Sequence, residues 1–211
     1  SDRGLIRRRG AAVLVKEAGG GSDVALLERC RSGDATAFDE LVLRYKDRLY
    51  NMLYRFFGSE EDALEATQDV FIRAYRGLDG FRGESNVYTW LYRIATNLAR
   101  NRLRDSKRKG RDKAVSLDAL KEAAPATAEA ASCDARTPGQ MAMSRELEEI
   151  LQRCLDELPE IYRMTFVLRV FEEMSYEDIG HVMGCPRGTV KSRLNHARRL
   201  LRERLSELSV V

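Results

Sequence analysis

Between Ser175 and Arg204 the chain concentrates groups that bind polyanions and read base edges. Arg187, Lys191, Arg193, Arg198 and Arg199 are cations suited to phosphate, while Thr189, Ser192, Asn195 and His196 are short polar side chains able to exchange hydrogen bonds with bases. Val190, Leu194, Ala197 and Leu201 fall at i, i+4, i+7 and i+11, one buried stripe of a helix whose remaining surface carries those polar groups. Upstream, Ser175 with Asp178 three residues on has capping-box chemistry, and Ile179, Val182 and Met183 form a short apolar face. Gly184 can close that helix, and Pro186 is tolerated in the first turn of the next. A short helix, a tight turn and a longer basic helix are the layout of a helix-turn-helix that enters the DNA major groove. A solvated basic face is the alternative for the basic helix taken alone, and the turn chemistry before it favours the first reading.

The charge distribution points the same way. The chain has 211 residues, 33% charged and 44% hydrophobic, the composition of a globular protein with room for one or two domains. Residues 97–113 carry eight Lys/Arg against two Asp, and residues 186–204 carry seven Lys/Arg against one Glu, a net +6 in each. With +3 for the whole chain, −9 falls on the remainder. Two basic patches on an acidic background suit two contacts with a polyanion and an acidic surface for a basic protein partner.

Other chemistries find little support. Cys30, Cys133, Cys154 and Cys185 lack CxxC spacing and read as reduced thiols of a cytoplasm. His181 and Cys185 lie four apart, but no second pair completes a tetrahedral metal site, so no metal or cofactor is expected. No apolar run approaches the roughly 20 residues that span a bilayer. Arg7, Arg8 and Arg9 followed by residues 11–15 imitate a signal peptide, but Lys16 and Glu17 end the apolar stretch. Residues 1–21 read as a disordered tail set off by the glycines at 19–21.

The elements that position these groups are helical throughout, giving an all-α fold of two small helical domains on a flexible linker. Residues 23–31 form a first helix ended by Gly33. Asp34 caps a longer one with Phe38, Leu41, Val42, Tyr45, Leu49, Met52, Leu53 and Phe56 inward, stopped by Gly58. Ser59 with Asp62 starts a third, buried through Ala63, Ala66, Thr67, Val70, Phe71, Ala74 and Leu78. A loop over 79–86 leads to a fourth with Trp90, Leu91, Ile94 and Leu98 inward, and Trp90 reads as core rather than stacking platform. Together, residues 22–109 make one domain. Over 110–139 the composition shifts to Ala, Ser, Thr, Pro and charge, the mark of a linker in which a short helix remains open. Periodicity returns within 140–211 at Leu147, Ile150, Leu151, Cys154 and Leu155. Pro159 then begins a helix carrying Tyr162, Val167, Leu168 and Phe171 ahead of the helix-turn-helix.

Three segments resemble one family. Gly188-Thr-Val-Lys-Ser-Arg-Leu194, with Ala197 and Arg198, is similar to the promoter-reading helix of bacterial extracytoplasmic-function, or group 4, sigma factors. Phe81-Arg-Gly-Glu-Ser-Asn-Val-Tyr-Thr-Trp-Leu-Tyr-Arg-Ile-Ala-Thr-Asn-Leu-Ala-Arg-Asn101 resembles the family's other promoter-reading segment, above all in its sigma-E branch. Glu65-Ala-Thr-Gln-Asp-Val-Phe-Ile-Arg-Ala-Tyr75 resembles the helix that docks on core polymerase. The likeness spans residues 23–104 and 140–205. It implies a dissociable specificity subunit of RNA polymerase, not itself an enzyme. In the family the N-terminal domain binds core and opens the minus-10 element, the C-terminal domain binds the minus-35 element, and an anti-sigma factor holds the subunit inactive until a signal arrives.

The residues fit those roles on physical grounds. Glu65, Gln68, Asp69 and Arg73 leave the buried stripe of the third helix as a polar, mostly acidic strip suited to a basic helical partner; the family usually has Asp at the first of these positions and Glu at the third. For melted DNA, Arg82, Glu84, Ser85 and Asn86 supply a loop around an extruded base, with Tyr88, Tyr92, Arg93, Asn97, Arg100 and Asn101 on the following helix. Asn97 matches the family's position for contact with a captured base. Arg100, Arg102, Arg104 and Lys107 suit phosphates. His196 stands where the family has Arg, and an imidazole cannot hold guanine in the bidentate way. Arg187 replaces a residue that is often small and apolar. A helix-turn-helix regulator that never docks on polymerase is the rival reading, and the strip on the third helix separates the two. A helical nucleic-acid-processing enzyme is a third, with few candidate catalytic groups.

Overall fold

The computed structural model describes residues 22–81, 86–113 and 138–207, with side chains over 22–81, 86–105 and 146–207. Among these residues there are eight α-helices and no strand: α1 Asp23–Arg31, α2 Ala35–Phe57, α3 Glu60–Arg76, α4 Val87–Lys113, α5 Pro138–Asp156, α6 Glu160–Val170, α7 Tyr176–Met183 and α8 Arg187–Glu207. A single 3-10 turn, Leu78–Gly80, follows α3. The tail over 1–21 lies outside the described residues, as does most of the segment 110–139. Helix enters both ends of that segment, because α4 continues to Lys113 and α5 begins at Pro138.

Helix starts follow from local chemistry. Asp34 accepts the Thr36 N–H, Ser59 the Asp62 N–H and Ser175 the Asp178 N–H, each satisfying a donor with no intrahelical partner. Gly58 and Gly184 take the left-handed conformation that closes α2 and α7. Gly180 serves a different purpose. A β-carbon there would lie 2.8 Å from the Cys185 carbonyl oxygen, so the turn between α7 and α8 closes only over a bare backbone.

Central to the packing is α2, whose Leu41, Leu49, Met52, Leu53 and Phe56 are fully buried against α1, α3 and α4. Burying each such side chain is worth about 1.5–3 kcal/mol before the cost of ordering it. In the C-terminal unit α8 packs on α5, α6 and α7. The two units expected on a tether are docked on one another, with α2 against α5 and α6, and α4 against α7. One apolar core runs through both, from Leu26 and Ala99 on one side to Met164 and Leu194 on the other.

Polar contacts close the junction at two places. At the end of α2 the Arg163 guanidinium donates to the Phe56 carbonyl at 2.7 Å and pairs with Asp156 at 3.0 Å. The Gln152 amide nitrogen reaches the Arg55 carbonyl at 3.5 Å. Thus the orphan carbonyls of the α2 terminus are met by side chains of the other unit. The second closure lies at the start of α4, where DNA contacts were expected.

Candidate nucleic-acid interface

On α8 the buried stripe is Val190, Leu194, Ala197 and Leu201, as the spacing requires. Arg187, Lys191, Ser192, Asn195, His196, Arg198 and Arg199 are exposed, and Thr189 and Arg193 are half-buried. Gly188, Lys191, Ser192, Asn195, His196 and Arg199 line a shallow groove. Three of the guanidiniums are engaged: Arg187 with Glu177 at 3.0 Å, Arg199 with Glu203 at 2.9 Å, and Arg193 with the Cys185 sulfur at 3.3 Å. The first two pairs are exposed and worth at most about 1 kcal/mol, so phosphate can displace the carboxylates. Lys191, Ser192 and Asn195 have no side-chain partner among the described residues. Arg193 is drawn to the turn between the two helices, which its position on the helix period does not reveal.

The start of α4 departs from expectation. Asn86 accepts the Thr89 N–H at 2.6 Å and so caps the helix, while Arg82, Glu84 and Ser85 lie outside the described residues. Tyr88 and Tyr92, expected to stack on unpaired bases, instead face the C-terminal unit. Tyr92 is fully buried, and its hydroxyl donates to the Glu172 carboxylate at 2.5 Å. The Tyr88 hydroxyl donates to the Glu172 backbone carbonyl at 3.0 Å. Arg48 completes the cluster, 3.4 Å from the Glu172 carboxylate and 4.8 Å from the Tyr88 ring centre. Burial first, and then the Glu172 charge, pushes both phenol pKa values well above the ordinary range, so both remain donors. Thr89 adds a contact of 3.5 Å to Asp178 on α7. The physical reason is that residues four apart share a helix face, and in this arrangement that face is the one covered by the α6–α7 turn.

A second ridge of α4 stays open. Arg93, Asn97 and Asn101 are exposed at successive four-residue steps, and Arg100 beside them is half-buried with an Nε that has no hydrogen-bond partner. Trp90 is half-buried, packs into the core and tilts against Phe81, with ring centres 5.1 Å apart. It packs against the core from its edge, on the side its stripe implied.

The acidic strip on α3 has a partner within the chain. Arg102, expected to hold phosphate, instead bridges Glu65 at 3.1 Å and Asp69 at 2.7 Å. Burial works to lower its pKa, but the hydrogen bonds to the two carboxylates together with their charges outweigh this and raise it. Gln68 and Arg73 are exposed. The strip also has an apolar flank that polar residues alone do not disclose: Leu64, Ile72 and Tyr75 are 55%, 48% and 58% exposed. Their signal in the sequence is three large apolar residues lying off the buried stripe.

Among the described residues there is no group of three or more His, Cys, Asp and Glu able to hold a metal. Nor is any described helix long and apolar enough to cross a membrane.

Residues 41–109 match the family model described as Sigma-70 region 2, and residues 148–201 that described as Sigma-70, region 4. The chain is 40% identical over 186 residues to the RNA polymerase sigma-H factor of Pseudomonas aeruginosa, covering 88% of this chain and 95% of that protein. It is likewise 40% identical over 187 residues to the ECF RNA polymerase sigma-E factor of Escherichia coli K12, covering 89% and 96%. Among solved structures, the sigma factor RpoE of Bartonella quintana, crystallised with the anti-sigma factor NepR, is similar at 25% identity and a TM-score of 0.62, over 80% of this chain and 96% of that one.

Proposed function

Since the chain belongs to the extracytoplasmic-function sigma factors, we propose a division of its work among the faces described above. As a sigma factor it binds core RNA polymerase and directs promoter-specific initiation. Glu65, Gln68, Asp69 and Arg73, flanked by Leu64, Ile72 and Tyr75, form the core-docking face. The exposed groove of α8 reads the minus-35 duplex, and the ridge Arg93, Asn97 and Asn101 meets the melted minus-10 strand. The observation that carries this reading is the α8 groove, where free hydrogen-bonding groups sit between displaceable cations. Tyr88 and Tyr92 join the minus-10 site once the α6–α7 turn leaves them. The protein acts in the cytoplasm by binding alone, without a reaction of its own. An anti-sigma factor holds it inactive, as the one named for the Bartonella relative suggests.

The test is transcription reconstituted from purified core polymerase and promoter DNA with and without the chain, at salt low enough for phosphate contacts to form. A promoter-specific transcript that depends on the chain is expected, and its absence would refute the assignment. Gln68→Ala with Asp69→Ala should weaken core binding about tenfold and leave minus-35 duplex affinity unchanged. Loss of both together would mean misfolding, not loss of a docking contact. A regulator independent of polymerase would show no core binding for the substitutions to weaken.

A further inference from the structure

His196 is exposed on the lip of the α8 groove, yet its ring is not free to wander. It lies over the ring of Tyr162 from α6, with ring centres 5.6 Å apart and planes at 21°. Tyr162 is half-buried and packs against the small core of Cys154, Leu155, Leu158, Ala197 and Leu201. At that separation the two rings are offset. The phenol therefore covers only part of one imidazole face, and the residue as a whole stays exposed. Neither nitrogen has a hydrogen-bond partner among the described residues. A side chain already settled on an anchored ring gives up less rotamer freedom on binding than a free surface residue.

Resting on the promoter-reading role proposed above, we propose that His196 is a specificity-determining residue of the minus-35 contact and that Tyr162 is its positioning residue. The imidazole edge offers one hydrogen bond from each nitrogen, which suits a single acceptor or donor on a base in the major groove. It lacks the planar fork that lets arginine grip guanine twice. Its neighbours Lys191, Ser192 and Asn195 complete a row of polar groups in the same groove, while Arg187 and Arg199 are left to the phosphates. The discrimination from one hydrogen bond is about threefold to tenfold at one base pair, smaller than a bidentate contact would give.

The experiment is selection from a promoter library randomised over the upstream element, with holoenzyme made from core polymerase and the full chain at fixed salt. His196→Ala should flatten the preference at one base pair about threefold to tenfold and leave the other positions intact. Tyr162→Phe, which keeps the stacked ring, should behave as wild type, whereas Tyr162→Leu should flatten the same position as His196→Ala without loss of core affinity. Uniform weakening across all sequences by His196→Ala would make it a phosphate contact and overturn the proposal. An unchanged preference profile, or a Tyr162→Leu variant that keeps the wild-type profile, would do so too. If Tyr162→Leu fails to fold, the exposed His196→Ala decides alone. Should wild-type holoenzyme enrich no upstream element at all, the promoter-reading role itself fails.

Discussion

Arg102 shows how one side chain can occupy a surface proposed for another molecule. It holds Glu65 and Asp69 with a planar cation, the same chemistry that a basic helix of a docking partner would bring. Glu65 is two-thirds exposed, so the arrangement contributes at most about 1 kcal/mol to the fold. A partner's cation must then displace Arg102 or share its carboxylates. Arg102→Ala should therefore raise affinity for core polymerase at low salt by up to about fivefold, with melting shifted by only a few degrees. Fluorescence anisotropy of labelled chain against core would read the change, and weaker binding would show instead that Arg102 organises the strip. In the sequence Arg102 reads as a phosphate contact because it sits in a basic run. Its pairing with residues 33 and 37 positions earlier is a tertiary fact, invisible to any local count of charge.

At the level of elements, the helix-turn-helix depends on a few backbone decisions. The α7 start rests on Ser175, whose hydroxyl accepts the Asp178 N–H at 3.1 Å and donates to its carboxylate at 2.6 Å. Gly180 lets the following turn close over it. Ser175→Ala should cost about 1 kcal/mol as a lost cap, and Gly180→Ala should cost more, because backbone rather than a flexible side chain must move. Thermal unfolding of the two variants should rank them in that order, and a Gly180→Ala protein as stable as wild type would contradict the crowding at Cys185. Caps at Asp34, Ser59 and Ser175 and stops at Gly58 and Gly184 are legible in the sequence because each acts within one turn of its own residue. The α8 stripe is legible for the same reason, its period being a local property. Which outside face of a helix another element covers is not. Tyr88 and Tyr92 look free in the sequence because the period of α4 tells which residues share a face, and nothing in it names the α6–α7 turn as their neighbour.

For the molecule as a whole, the docking of its two halves covers Tyr88 and Tyr92, two residues of the proposed minus-10 face. The α8 groove is open in this arrangement, but Tyr88 and Tyr92 lie under Glu172, whose carboxylate is nearly buried and held by Tyr92 and Arg48. A hydrogen bond to such a charge contributes about 1.5–3 kcal/mol. At the far end of α2, Arg163 gains the Phe56 carbonyl and Asp156, and Arg55 lies over the Phe171 ring at 4.1 Å. Each half keeps helices and apolar contacts of its own, so weakening these polar closures should part the halves before it unfolds them. Glu172→Ala combined with Arg163→Ala is expected to increase the radius of gyration measured by small-angle X-ray scattering while far-ultraviolet circular dichroism stays near wild type. The parted chain should also bind single-stranded minus-10 DNA several-fold more tightly, because Tyr88 and Tyr92 no longer have to be uncovered at the expense of binding energy. An unchanged radius would mean that the shared apolar core, not the polar closures, holds the halves together. A larger radius without tighter strand binding would mean that Tyr88 and Tyr92 serve the junction alone, leaving the minus-10 contact to Arg93, Asn97 and Asn101.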